Sequence, residues 1–284
     1  PRPPPCPPPG CPFLPPPAPR RPVPPLLGDP AYWPGRNPLL FPIVGMLKEG
    51  KIRFDGREYA MERHGFARRR EFTPAARGED WVRLELRESA ETLALYPYSF
   101  RLAVEQRLTD TGFSTAVTVA NPGEGPLPFC LGAHTGFRCP LEAGERFEAY
   151  ELVFPERESC PTLLLRDGLL DRPAALPCLE DTDTLPLDYR WFDALDTLIF
   201  EGLRSRSVAL RSRKSGRGVR VSFDGFPMLA FCSMPGKMAP YLCIEPWHGC
   251  SAGTGEGEEF TSKAHCIVLA PGESRTLAYR ADTL

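Results

Sequence analysis

Alternating apolar and polar residues are the feature that most limits what this chain can fold into. Val82, Leu84 and Leu86 alternate with charged residues. The same alternation recurs at residues 100–105, 117–119, 219–223 and 276–280. A period of two puts every second side chain on the same face of a strand, so that one face packs on a core while the other meets solvent. The pattern predicts antiparallel β-sheets.

Glycine-containing turn signals separate these strands, as at Asp55-Gly56 and Pro271-Gly272. Helical signals are confined to two short stretches, residues 161–172 and 188–197. The Pro- and Asp-rich stretch 155–186 is expected to be a long loop. Many short strands without an internal boundary predict an all-β fold, a large antiparallel β-sandwich that forms one domain over residues 26–284.

Proline is concentrated at the start of the sequence, where residues 1–25 hold 15 of the 35 Pro. Because Pro has no backbone donor and a fixed φ, this segment cannot be a helix or a central strand. We expect a low-complexity segment that is disordered or of polyproline type. One hypothesis makes this segment the functional part, as a ligand for an SH3-type groove.

Charge and hydropathy exclude several classes of partner. Residues 1–25 carry three Arg and no acid, which leaves 31 basic and 36 acidic residues in the remainder. This mildly acidic body lacks the basic face that phosphate neutralisation needs, so we expect no nucleic-acid partner. The sequence has no apolar run of about 18 residues and no signal-peptide core, so it predicts neither a membrane span nor export. A cytoplasmic location is therefore expected.

Ten Cys occur in the sequence, but none of them forms a C-x-x-C pair. Zinc sites usually show such close pairs, so the spacing predicts no metal site. Cys232 and Cys243 lie in apolar runs, where a free Cys behaves as a small hydrophobic residue. The expectation is a reducing compartment in which no Cys is functional.

Three residues are candidates for chemistry. His64 and His134 each follow an extended segment and lie next to Gly or close to it, where a ligand can approach the backbone. Glu245 ends an apolar run just before Pro246-Trp247, and burial of a carboxylate is costly unless it is paired or functional. The alternatives are structural hydrogen bonds for the two His and a solvent-facing strand end for Glu245.

Several segments together resemble the aldose 1-epimerase, or mutarotase, family in its divergent bacterial branch. They follow the family's order along about 250 residues. The matching segments are residues 28–33, 40–45, 64–68, 132–137, 212–218, 244–247 and 271–274. The resemblance implies the family's galactose mutarotase-like β-sandwich, in agreement with the strand pattern.

The resemblance also implies a reaction, the interconversion of the α and β anomers of a hexose or hexose derivative. By resemblance Glu245 is the base that takes the proton of the C1 hydroxyl, and His134 is the acid that protonates the ring oxygen. An imidazole that titrates near pH 7 suits this role. The sugar is the small-molecule partner, and no metal or organic cofactor is implied.

Three further residues correspond to sugar-binding positions. His64 matches the family's second His, and Asp196 matches an Asp that binds sugar hydroxyls, although Asp193 lies three residues away. Arg68 is a candidate for an anionic or hydroxyl group of the substrate. The alternative for Arg68 is a solvated side chain in a run of three Arg.

The chain departs from the family at two places. Met46 stands where the family has a sugar-binding Arg, and Arg53 or Arg36 is the candidate replacement. Residues 1–25 stand where the family has its opening strands, so the domain is expected to lack those strands and to expose a sheet edge that invites association or instability. A monomer or a homodimer is expected. The alternative function is a sugar-binding or regulatory protein of the same fold with weak or no turnover.

Overall fold

The computed structural model describes Leu26 and residues 28–284. The predictions for residues 1–25 therefore lie outside the described residues. The described strands are β1 (Leu39–Leu40), β2 (Lys51–Phe54), β3 (Arg57–Ala60), β4 (Thr73–Arg77), β5 (Trp81–Arg87), β6 (Arg101–Leu108), β7 (Gly112–Ala120), β8 (Leu127–Phe129), β9 (Leu131–Ala133), β10 (Thr135–Arg138), β11 (Tyr150–Arg166), β12 (Leu169–Pro186), β13 (Thr197–Glu201), β14 (Ser207–Ser212), β15 (Gly218–Ser222), β16 (Met228–Cys232), β17 (Tyr241–His248), β18 (Ile267–Leu269) and β19 (Ser274–Thr283).

Fifteen of these strands form one continuous antiparallel sheet, in the order β1-β9-β17-β16-β13-β11-β14-β15-β19-β7-β6-β5-β4, with β10 paired to β17 and β12 to β11. Two small sheets, β8 with β18 and β2 with β3, complete the fold. One core cluster contains side chains from distant parts of this path, such as Val119 of β7 and Ile244 of β17. The sheet therefore folds over onto itself, and the predicted all-β sandwich is confirmed.

Most of the alternating segments became strands as predicted: residues 82–87 lie in β5, 117–119 in β7 and 276–280 in β19. The prediction of a loop over 155–186, with a helical turn at 161–172, is wrong. These residues form the long hairpin of β11 and β12, which turns at Asp167 and Gly168, both with positive φ. Its Pro residues are tolerated because β12 is an edge strand and the pairing is interrupted by register shifts.

Two short α-helices are described, α1 (Ala90–Leu93) and α2 (Tyr189–Leu195). The helical signal at 188–197 is thus confirmed by α2, where the side chain of Asp188 accepts a hydrogen bond from the backbone N–H of Arg190 at the N-cap. The helix ends at Leu195, and the C-cap residue Asp196, with a φ of 62°, turns the chain into β13. No helix among the described residues is long and apolar enough to cross a membrane.

Strand β17 separates two packing environments. Leu242 and Ile244 belong to the main core, whereas Tyr241 and Cys243 belong to a small second cluster that also contacts Trp33. Since successive side chains of a strand point to opposite faces, Tyr241, Cys243 and Glu245 share the face that carries the second cluster. Trp247, near the end of the strand, packs in the main core.

Glu158 of β11 provides a test of the fold. Its carboxylate is 1% exposed and accepts hydrogen bonds from the backbone N–H groups of Ser205 at 2.7 Å and Arg204 at 3.0 Å. We expect Glu158→Ala to lower the free energy of unfolding by about 2–3 kcal/mol, because it leaves the buried N–H of Ser205 without a partner and also removes the bond to the partly buried N–H of Arg204. Guanidinium unfolding followed by circular dichroism measures this loss.

Glu156→Ala is the matched control, since the side chain of Glu156 forms an exposed ion pair with Arg204 and its backbone hydrogen bond to Ser205 is kept in the variant. Its cost should stay below about 1 kcal/mol. Equal losses in the two variants would contradict a structural role for the buried carboxylate.

Candidate active site

Strand register brings His134 and Glu245 together. Thr135 is opposite Ile244 and Gly132 is opposite Trp247, so His134, the residue between β9 and β10, faces Glu245 of β17. The Nε2 atom of His134 lies 3.4 Å from Oε1 of Glu245. The two residues that sequence motifs singled out as acid and base are therefore in contact.

Glu245 is almost completely buried, with 1% of its surface exposed. The indole N–H of Trp247 donates a hydrogen bond of 3.2 Å to Oε2, which leaves Oε1 facing His134. Burial raises the pKa of Glu245 to about 8, against the lowering effect of hydrogen bonds with Cys232 and Trp247. The solvent-facing alternative for Glu245 is thus wrong.

His134 is held by stacking. Its ring lies on the indole of Trp33, with 4.8 Å between the ring centroids, and Nδ1 has no hydrogen-bond partner among the described residues. Gly136 makes room for this indole, because a Cβ there would lie 2.6 Å from a ring carbon of Trp33. Burial, with the positive charge of Arg63, lowers the pKa of His134 to about 3, so the expectation of titration near pH 7 is wrong for the site before sugar binds.

The opposite shifts of these two pKa values have one chemical consequence. Burial favours the neutral form of each group, so before sugar binds the transferable proton of the pair is favoured on the carboxyl of Glu245 over the imidazole of His134. Moving it to the imidazole gives a carboxylate and an imidazolium without changing the total charge. The pair can therefore present one acid and one base in either arrangement.

His64 forms the second side of the site. It lies in a tight turn, with φ of 67° at His64 and 70° at Gly65, and its ring is edge-on to His134 with 5.8 Å between centroids. The backbone N–H of Gly45 donates to Nδ1 at 3.1 Å, which puts the ring proton on Nε2. Burial lowers the pKa of His64 well below its usual value, so the ring is neutral and offers one N–H.

Arg63 is a site residue that the sequence analysis did not select. Its Nε atom lies 3.1 Å from Nε2 of His64, and its Nη2 atom lies 3.9 Å from Oδ2 of Asp196. Because both Nε and Nε2 carry hydrogens, the first contact supplies positive charge and no hydrogen bond. Its position immediately before His64 was the available signal.

The proposed substitutes for the family's Arg have different surroundings. Arg53 is ion-paired with Glu258 at 2.8 Å, and the side chain of Arg36 lies against Gly28. Met46 itself is close to Gly168 in the turn of the β11–β12 hairpin. Of the positive charges discussed, that of Arg63 is the one in contact with both His64 and Asp196.

Asp196 and Arg68 lie at the edge of the group. The side chain of Asp196 is 51% exposed and is directed to Arg63, whereas Asp193 accepts a hydrogen bond from the backbone N–H of Gly236 at 2.7 Å. This difference favours Asp196 over Asp193 as the site residue. Arg68 is exposed and donates to the backbone carbonyl of Arg63 at 2.9 Å, so it is anchored beside the site.

Two thiols lie beside Glu245 and are the residues that could hold a metal ion with it. Cys232 of β16 is directly opposite Cys243 of β17, which is two residues before Glu245 and on the same face. One ligand atom from each of His134, Cys232, Cys243 and Glu245 can be chosen so that all lie within 4.8 Å of one another. A hydrogen bond with Cys243 and burial raise the pKa of the Cys232 thiol well above its usual value.

The two remaining His, His248 and His265, lie outside this group. Nε2 of His265 contacts the carboxylate of Glu201, and Nδ1 of His248 lies 2.8 Å from the backbone carbonyl of His265. Both are occupied by protein partners.

Comparisons with known proteins identify the family. A family model described as aldose 1-epimerase matches residues 26–281, which include every candidate site residue. The plasmid-encoded protein LacX of Lactococcus lactis subsp. lactis is 39% identical over 259 residues, which are 88% of this chain and 86% of that protein.

Two solved structures share the fold. A galactose mutarotase related enzyme from Lactobacillus acidophilus superposes with a TM-score of 0.85 at 27% identity and covers 90% of this chain and 85% of its own. A galactose mutarotase-like protein from Lactobacillus casei gives a TM-score of 0.84 at 27% identity, covering 90% of this chain and 88% of its own.

The turn that carries His64 can be tested at Gly65. A Cβ there would lie 2.2 Å from the backbone oxygen of Phe41, at a φ of 70°. We expect Gly65→Ala to destabilise the protein by more than the roughly 1–2 kcal/mol of a left-handed non-Gly residue, because the clash adds to the backbone strain. Thermal unfolding measures the loss.

Gly56→Ala is the matched control, since Gly56 has a φ of 75° and a Cβ added there would meet no atom within 4 Å beyond its chain neighbours. Gly56→Ala should lose only the stability that corresponds to backbone strain, without a contribution from a clash. The interpretation fails if both variants lose the same stability.

Proposed function

This chain belongs to the aldose 1-epimerase family, and we propose that it catalyses the interconversion of the α and β anomers of a hexose or hexose derivative. The single observation that carries the proposal is the contact between His134 and Glu245. Nε2 and Oε1 are 3.4 Å apart in a mostly buried site, and the two groups share one proton. Anomer interconversion requires one acid and one base of this kind.

The proposed reaction moves protons and breaks one bond. The carboxylate of Glu245 takes the proton of the C1 hydroxyl, the bond between C1 and the ring oxygen breaks, and the imidazolium of His134 protonates the ring oxygen. Rotation about the C1–C2 bond presents the other face of the aldehyde. Ring closure then returns both protons, so that the pair regains its starting state. General acid–base catalysis of this type contributes about 10²–10⁴-fold.

The starting state follows from the two pKa shifts. Before sugar binds the shared proton lies on Glu245, and the nearby imidazole of His134 can receive it. The charged arrangement costs more in a buried site than in water, and the positive charge of Arg63 favours the carboxylate. A bound sugar hydroxyl that donates to the carboxylate would favour it further.

The remaining candidate residues would hold the sugar. The carboxylate of Asp196 offers an acceptor for hydroxyl groups, and the ring of His64, 5.8 Å from that of His134 between centroids, lines the site. Arg63 joins them with its guanidinium, and Arg68 at the rim is within the same positive patch. This set is suited to a polyhydroxylated ligand. The proposal needs no cofactor, and a cytoplasmic location and a monomeric or homodimeric state stay predictions.

A sugar-binding or regulatory protein with weak turnover is the second candidate, and Met46 favours it. Met offers no donor in place of the family's Arg, and loss of a charge-assisted hydrogen bond costs about 1.5–3 kcal/mol. Arg63 offers a guanidinium from another element of the site, which favours turnover. Measured turnover distinguishes the two candidates.

Polarimetry of freshly dissolved α-galactose and α-glucose tests the enzyme directly. We expect the protein to accelerate the approach to equilibrium, and Glu245→Gln to slow the catalysed rate by about 10²–10⁴-fold because it removes the base. Sugar binding by the variant, followed by isothermal titration calorimetry, should persist. Full activity in Glu245→Gln would reject this base, and binding without acceleration by the unaltered protein would favour the second candidate.

Asp196 and Asp193 form a matched pair for substrate binding. We expect Asp196→Asn to raise KM, because it weakens an acceptor for sugar hydroxyls, by a factor equivalent to about 1 kcal/mol or more. Asp193→Asn should leave KM unchanged, since Asp193 is bound to the backbone of Gly236 away from the pair. Progress curves at several sugar concentrations give both constants, and the reverse ranking would assign the role to Asp193.

A further inference from the structure

The proton-transfer pair shares its face of the sheet with two thiols for which the proposed reaction has no use. Cys243 and Glu245 are two residues apart on β17 and so point to the same face. Cys232 is opposite Cys243 across the β16–β17 pairing, and His134 faces Glu245 across the other edge of β17. The backbone pairing of neighbouring strands therefore fixes the Cα positions of all four residues.

The spacing of the four groups matches a four-coordinate metal ion. With bonds of 2.0–2.1 Å to nitrogen and oxygen, adjacent ligand atoms of a tetrahedral zinc are about 3.3–3.4 Å apart. Nε2 of His134 and Oε1 of Glu245 are 3.4 Å apart. All four ligand atoms lie within 4.8 Å of one another, whereas two sulfur atoms bound to a tetrahedral zinc at 2.3 Å are about 3.8 Å apart, so a modest contraction of the group brings the thiols to zinc–sulfur bond length.

The donor set also points to a class of ion. Two sulfur atoms, one imidazole nitrogen and one carboxylate oxygen form a soft set that prefers Zn²⁺ over the oxygen-binding ions Mg²⁺ and Ca²⁺. The indole N–H of Trp247 holds Oε2 of Glu245, which orients Oε1 as a ligand. Trp33 and Tyr241 pack around the two thiols and limit the access of water.

We propose that His134, Cys232, Cys243 and Glu245 form a binding site for a thiophilic tetrahedral divalent cation such as Zn²⁺, and that the bound ion blocks the sugar site. Binding replaces the two thiol protons, and the carboxyl proton where present, which pass to the buffer. No electron transfer is involved. The ion occupies Nε2 of His134 and Oε1 of Glu245 at the same time, so neither atom can reach the sugar.

This inference deepens the proposed function, since the blocking effect rests on it, whereas ion binding does not. The binding test therefore uses no sugar. Among the described residues this is the single group of three or more His, Cys, Asp and Glu side chains with metal-binding spacing. Cys6 and Cys11 lie outside the described residues, so every protein in the test carries Cys6→Ser and Cys11→Ser.

Titration of the metal-free, reduced protein with Co²⁺ provides the spectroscopic test. We expect one equivalent of Co²⁺ to produce intense tetrahedral bands in the visible region and a thiolate charge-transfer band in the near ultraviolet, both abolished when Zn²⁺ displaces Co²⁺. Loss of an outer-shell partner weakens metal affinity by about 10–100-fold, so we expect loss of a direct thiolate ligand in Cys232→Ser or Cys243→Ser to weaken it at least 100-fold.

Cys178→Ser is the matched control, because Cys178 is a partly buried free thiol of β12 outside the cluster. It should keep the full spectrum. The proposal is overturned if the thiolate band is absent from the parent protein, or if Cys232→Ser and Cys243→Ser retain it. Circular dichroism establishes that each variant is folded, and Glu245→Gln, which removes an oxygen ligand, replaces any variant that is not.

Inhibition separates the two proposals. If the parent protein accelerates anomer interconversion, we expect one equivalent of Zn²⁺ to abolish the catalysed rate and a chelator to restore it. Each Cys variant is compared with its own metal-free rate, and inhibition should require at least 100-fold more Zn²⁺ in Cys243→Ser. Cobalt bands without any catalysed rate would reject the proposed function while supporting the ion site; full activity with the bands present would reject the block.

Discussion

The antiparallel register of β17 with its two neighbours is the constraint on which the site depends. It brings His134 opposite Glu245 on one side and Cys232 opposite Cys243 on the other. Directly opposite residues of antiparallel strands have Cβ atoms about 4.5–5.5 Å apart and share a face. The acid–base pair is thus positioned by backbone hydrogen bonds between strands, whereas a tight turn supplies His64 and the end of α2 supplies Asp196.

Burial determines the ionisation states of the titratable residues on this face of the sheet. The low polarity around His134 and Glu245 favours their neutral forms, which is why their pKa values move in opposite directions. His64 is neutral for the same reason. The charged groups of the site are the half-exposed side chains of Arg63 and Asp196, which lie at its edge. A site whose buried residues are neutral and whose charged residues are half-exposed can bind a neutral sugar without burying a net charge.

Sequence patterns predicted most of the fold and the centre of the site. The alternation of apolar and polar residues predicted β5, β7 and β19, because a strand that is buried on one face has an apolar residue at every second position. The β11–β12 hairpin was missed because its Pro residues resemble a loop unless the edge position of β12 is known. The chemical motifs identified His134 and Glu245.

The rest of the site follows from pairing across strands, which spacing along a chain does not reveal. Cys232 and Cys243 are eleven positions apart, and only the register of β16 and β17 makes them neighbours of Glu245. One consequence concerns how such a site can change over evolution. Because the backbone positions are set by the sheet, exchange of these two side chains for hydroxyl or aliphatic residues would remove the proposed thiolate ligands without moving His134 and Glu245. The proposed sensitivity to metal and the proposed catalysis would therefore be separately heritable properties of one strand pairing.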